Sequence, residues 1–106
     1  MLTIYKYPFA VDDYVNINMP KSSRVLSVQV QGIGGPNDMP CIWAMVDTDS
    51  PLEVKRFRLV GTGHPIKEKE ENLEFIGTFQ LLGGRLVKHL FEIEEDLGPR
   101  NRRIKK

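Results

Sequence analysis

Cysteine is almost missing from this chain: Cys41 stands alone among 106 residues. A single thiol excludes an internal disulfide and a cysteine-based zinc site, and it fits a reducing compartment such as the cytosol. Long hydrophobic runs are missing too. None approaches the roughly 20 residues that cross a bilayer, so no membrane partner is expected. The opening stretch MLTIYKYPFA lacks the basic-then-apolar layout of a secretion signal. Helical periodicity is also absent, since no window of about a dozen residues carries a 3.6-residue apolar stripe. The nearest approach is KEKEENLEF, whose charges fit either a short helical turn or a solvated loop.

Catalytic pairings are equally scarce. His64 and His89 are the two histidines, lie in different segments and show no metal-ligand spacing. Cys41 sits in an apolar run, where a thiol is shielded and inert. The acids Asp47, Asp49, Glu68, Glu70 and Glu71 gather in turns, with no nucleophile set beside a base. The expectation is a non-enzymatic protein with no catalytic residue, no metal and no cofactor.

What is present is an ordinary globular composition, with 41% hydrophobic and 27% charged residues, sized for one domain. The net charge of +1 hides an asymmetry. Of 15 basic residues, five (Arg100, Arg102, Arg103, Lys105 and Lys106) lie in the last ten positions, where no acid occurs. The remainder holds 10 basic residues against 14 acidic ones, a formal −4. An acidic body argues against a DNA-binding face, so no specific nucleic-acid partner is expected and the tail reads as solubilising.

The dominant period is two. Leu26, Val28 and Val30 alternate with Ser27, Gln29 and Gln31, the clearest half-buried strand signal in the chain. LTIYKYPF, YVNINMP, VKRFRLV, LEFIGTFQ and RLVKHLFEI follow the same rule, while PCIWAMVD is apolar on both faces and reads as a central strand. GIGGPNDMP, residues 32–40, reads as a long loop, DTDSP as a turn, and LLGG as a hairpin whose glycines take positive φ at little cost. The predicted fold is all-β: a six- or seven-stranded antiparallel sandwich or partly open barrel over residues 1–96, followed by a disordered basic tail over 97–106.

The candidate site is RFRLVGTGHPI, residues 56–66. Backbone amides around Gly61, Thr62 and Gly63 can form a concave anion nest, with His64, Arg56 and Arg58 supplying further donors. The plainer reading is a bend at which positive φ is needed, with the two arginines on a solvated face. It is not a P-loop, because no Lys-Ser/Thr follows the glycines. Trp43 is expected in the core; if exposed it becomes a stacking platform. Tyr5, Tyr7 and Tyr14 suggest an interface, and sheet edges that need covering suggest a homo-oligomer.

The segments TIYKYPF, VLSVQVQ, PCIWAMVD, FRLVGTGHPI, FIGTFQ and GGRLV, in this order over about residues 2 to 92, resemble a family of small uncharacterised proteins encoded mostly by tailed bacteriophages. The IGGPND loop and the basic tail look like additions. The resemblance implies a phage accessory protein acting in the host bacterial cytoplasm. Two function classes then compete. In one, an oligomer sequesters a small anionic ligand, such as a cyclic nucleotide immune signal, through Arg56, Arg58, Gly61, Thr62, Gly63 and His64. In the other, the domain inhibits a host defence protein by direct binding; a structural or regulatory phage role is a third option.

Overall fold

The alternation becomes seven strands in a computed structural model that describes residues 1–32, 35 and 37–94. In chain order they are β1 (Leu2–Pro8), β2 (Tyr14–Pro20), β3 (Arg24–Gln31), β4 (Met39–Asp47), β5 (Leu52–Gly61), β6 (Leu73–Leu81) and β7 (Leu86–Ile93). The only helical pieces among the described residues are two 3₁₀ turns, Glu70–Asn72 and Leu82–Gly84. The charged KEKEEN stretch therefore resolves into a loop closed by a single tight turn. The basic tail lies outside the described residues.

All pairing is antiparallel, in two sheets that do not close into a barrel. One sheet has the order β1-β4-β3 and the other β2-β5-β7-β6. The chain changes sheet between β1 and β2, between β2 and β3, and between β4 and β5, so neither sheet is a simple meander. This is a β-sandwich, one of the two forms the alternation allows. Of the loop expected over 32–40, residues 33, 34 and 36 lie outside the described residues, and Met39 and Pro40 already belong to β4.

The core follows from register. Val15 pairs with Phe57, and Leu59 with Leu90, so their side chains share the inner face of the larger sheet. Opposite them, Ile42, Ala44 and Val46 of β4 line the inner face of the smaller sheet and are fully buried. Burying an aliphatic side chain the size of Ile42 or Val46 contributes roughly 1.5–3 kcal/mol. Where β3 and β6 meet, Gly77 has no side chain because a Cβ there would stand 2.9 Å from Cγ1 of Val28.

Two expectations about outer faces need correction. Trp43 is not a core residue: it is half-buried on the outer face of β4, with the Lys6 ammonium 5.8 Å from its ring centroid. A central strand is covered from within by the opposite sheet, and on the outside Trp43 is covered by its cross-strand neighbour Lys6. Arg58 is not on a solvated face either. It is 7% exposed, because the segment from Thr62 to Lys69 folds back as a strap over the outer face of β5.

Candidate functional site

The strap begins with the GTGH turn. The His64 amide donates to the Gly61 carbonyl at 3.1 Å, and Gly63 has φ of +83°, the positive value a type II turn requires at its third position. Gly61 itself ends β5 without positive φ. It lacks a side chain for another reason: a Cβ there would lie 3.0 Å from Nδ1 of His64, so the glycine makes room for the imidazole. The expectation that both glycines serve backbone geometry thus holds for Gly63 only.

The two arginines do different things. Arg58 is enclosed in a network. Its Nε donates to Oε1 of Glu68 at 3.0 Å, and its Nη1 donates to the carbonyl of Leu59 at 2.8 Å and to that of Asp13 at 3.4 Å. Its Cζ lies 4.9 Å from the ring of Tyr14, whose hydroxyl donates to Oε2 of Glu68 at 2.5 Å. Partial burial pushes the Glu68 carboxyl up. The Tyr14 hydroxyl, the Glu68 backbone amide and the Arg58 guanidinium together outweigh that and hold it below its ordinary value. The same bond raises the Tyr14 phenol, because ionising it would place a second anion beside Glu68. Arg58 therefore fastens the strap. Arg56 stands on the exposed outer face of β5, opposite Ile93.

Behind the turn, His89 of β7 is held between two hydroxyls. Its Nε2 lies 2.7 Å from Oγ1 of Thr62 and its Nδ1 lies 2.8 Å from Oγ1 of Thr78. Both ring nitrogens are thus within hydrogen-bond distance of a threonine hydroxyl, with donor and acceptor roles set by the tautomer. His89 ties the turn to β6 and β7. It is more than the ordinary sheet residue that strand alternation suggests.

Shallow clefts flank the turn on both sides. One, about 270 Å³, lies between Asp13, Arg58, Pro65 and Lys67. The other, about 310 Å³, is lined by Thr62, His64, Arg85, Leu86, Val87 and Lys88, and no carboxylate among the described residues lines it. Its volume falls at the small end of the roughly 300–1,000 Å³ typical of ligand sites. Lys88 reaches it because Gly61 and Lys88 are cross-strand partners. Arg85 reaches it from the β6–β7 hairpin, where its Nε donates to the Leu82 carbonyl at 3.3 Å. The structure thus brings Gly61, Thr62 and His64 to this basic cleft, with Gly63 at the turn, and leaves Arg56 and Arg58 out of it. Arg85 and Lys88 were not among the site residues expected from the sequence, where the one signal was a pair of cations following a Gly-Gly hairpin, and His89 was weighed there only as a metal ligand.

Among the described residues, no group of three or more His, Cys, Asp and Glu side chains is placed to hold a metal ion. Cys41 is free and buried. Among the same residues, no helix is long and apolar enough to cross a membrane.

Fold and cleft together describe an all-β sandwich domain with a basic recess at one end of its larger sheet. The chain belongs to the family described as domain of unknown function DUF7352, whose model matches residues 1–100. No curated protein and no solved structure matches it.

Proposed function

We propose that this is a binding protein that takes up a small anionic ligand in the cleft bordered by Thr62, His64, Arg85 and Lys88. The observation that carries the reading is the composition of that recess: Arg85, Lys88, His64 and Thr62 line it, and no carboxylate among the described residues does. Arginine presents a planar fork to phosphate oxygens and lysine a compact point charge, so the pair suits a phosphate or phosphodiester. Leu86 and Val87 add apolar lining beside these charges, which suits the base or sugar of a nucleotide. A cyclic nucleotide combines both features. The role is sequestration rather than catalysis, since His89 is spent on positioning Thr62 and Thr78 and is not set against an acid. The phage resemblance supplies the setting proposed for it: a counter-defence protein in the cytoplasm of an infected bacterium.

This proposal shifts the anion contacts from Arg56 and Arg58 to Arg85 and Lys88, and retains Thr62 and His64. Thermal-shift measurements against cyclic mono-, di- and trinucleotides test it; the expected result is a concentration-dependent rise in Tm with at least one class. A folded protein whose Tm moves with none of them at high micromolar concentration contradicts it. Inhibition of a host protein by direct contact draws on a different feature, the 57% exposed Phe75 packed edge-on against Phe91 on the outer face of the larger sheet. That reading predicts stoichiometric capture of one host protein, lost on Phe75→Ala and kept on Arg85→Ala.

A further inference from the structure

We infer that β1 is the contact strand of a two-fold symmetric dimer, pairing antiparallel with β1 of a second copy. Topology sets the stage. β1 is hydrogen-bonded to β4 on one side only and stands at the edge of the three-stranded sheet. At the far edge of that sheet, β3 closes against β6, where Gly77 meets Val28. Among the described residues, no strand covers the β1 side in the same way.

An edge strand left for solvent is usually guarded by charge, most often lysine, or by proline; Pro8 closes the last position of β1 and leaves Leu2 to Tyr7 open. β1 has one charged side chain, Lys6, and it is turned away from the edge. Its ammonium crosses the sheet to donate to Oε1 of Gln31 on β3 at 2.7 Å and lies over the Trp43 ring on the way. The guard is thus folded inward. What remains is apolar: Leu2 is 68% and Ile4 55% exposed, and they line a shallow recess with Met45 on the outer face. On the inner face Tyr7 packs against the core, and Tyr5, edge-on against Tyr7, is 43% exposed. β2, the corresponding edge of the other sheet, differs in kind. Its outward residues are Asn16, Asn18 and Tyr14, and Tyr14 is already engaged by Glu68.

The occupant is a second copy because its own β1 brings the same exposed Leu2 and Ile4 to the contact and sets no like charge opposite Lys6. Antiparallel pairing about Tyr5 sets Tyr5 opposite the partner's Tyr5, Ile4 opposite the partner's Lys6 and Leu2 opposite the partner's Pro8. Two copies bring no like charges face to face, because Lys6 is drawn across its own sheet in each. The contact is isologous and closes after two subunits. It joins the two three-stranded sheets into one of six and buries the tyrosines against each other.

The test is mass and cross-linking together. Light scattering over the micromolar range is expected to give a dimer that Ile4→Lys converts to a monomer and Phe75→Lys, on the opposite sheet, leaves intact. Directly paired residues on neighbouring antiparallel strands bring their Cβ atoms to about 4.5–5.5 Å, within reach of a disulfide. Tyr5→Cys in a Cys41→Ser background is therefore expected to form a covalent dimer on mild oxidation, and this result decides the matter should Ile4→Lys fail to fold. A monomer at every concentration, a dimer that survives Ile4→Lys but not Phe75→Lys, or a Tyr5→Cys dimer whose introduced thiols do not cross-link overturns the proposal. None of these outcomes bears on whether the basic cleft binds an anion.

Discussion

The Arg58 guanidinium and the Glu68 carboxylate meet at 3.0 Å across the outer face of β5, both mostly buried, and this pair holds the strap from Thr62 to Lys69 in place. The strap in turn places the GTGH turn beside Arg85 and Lys88. An ion pair that sequence patterning hides thus supports the geometry of the proposed binding cleft.

Breaking that pair from the acidic side strands a cation. Glu68→Gln leaves Arg58 under the strap without its anion, and is expected to lower stability by about 3 kcal/mol in urea unfolding. Arg58→Met strands the Glu68 carboxylate instead and takes the donor from the Leu59 and Asp13 carbonyls, so a loss at least as large is expected. The double variant leaves no unpaired charge and is expected to lose less than the sum of the two; additive losses would contradict a coupled pair.

The same pair sets an acid limit. The Glu68 carboxyl is lowered in the fold relative to its ordinary 4.5, so it binds its proton more readily when unfolded. Its contribution is fully present above that ordinary value and disappears as pH falls through the lower folded value. The parent is therefore expected to lose stability between neutral pH and about pH 3 more steeply than Glu68→Gln, measured by urea midpoints across that range. Parallel pH profiles would remove Glu68 from the account.

Gly61 and Gly63 are expected to fail for different reasons. Gly63→Val forces a β-branched residue into positive φ and is expected to lower stability by roughly 1–3 kcal/mol whatever occupies position 64. Gly61→Ala instead pushes against the His64 ring, so His64→Ala is expected to relieve most of its effect. A double-mutant cycle on positions 61 and 64 reads this as a coupling energy; additivity would contradict it.

Gly77 gives a packing test far from the cleft. Gly77→Ala drives a methyl to 2.9 Å from Val28 and is expected to destabilise by about 1–3 kcal/mol, with Val28→Ala restoring part of the loss. A Gly77→Ala variant as stable as the parent would show that β3 and β6 slide apart at little cost.

Most of the fold was legible because a half-buried strand writes its two faces into alternate residues. RVLSVQVQ, LEFIGTFQ and RLVKHLFEI became β3, β6 and β7, and the Gly-Gly pair became a hairpin where one was expected, between the last two. Outer faces were not legible. Nothing in KRFRLV distinguishes Arg56, exposed, from Arg58, buried by a strap that arrives ten residues later. Trp43 looked internal because PCIWAMVD is apolar on both faces, yet a sandwich buries only one side of each sheet. The cleft was half legible: GTGH announced a turn, while Lys88 came to it through a β5–β7 register that the sequence does not print, and Arg85 from the β6–β7 hairpin.

Anion uptake by the basic cleft is read out by titration calorimetry with a cyclic dinucleotide, on the parent and on Arg85→Ala, Lys88→Ala and Arg56→Ala. Saturable binding is expected that weakens about tenfold or more when Arg85 or Lys88 is removed, as charge-assisted contacts of roughly 1.5–3 kcal/mol require, and that is retained in Arg56→Ala. Binding that survives both cleft variants but fails with Arg56→Ala would contradict it, and so would no heat from a folded parent with any nucleotide of the panel.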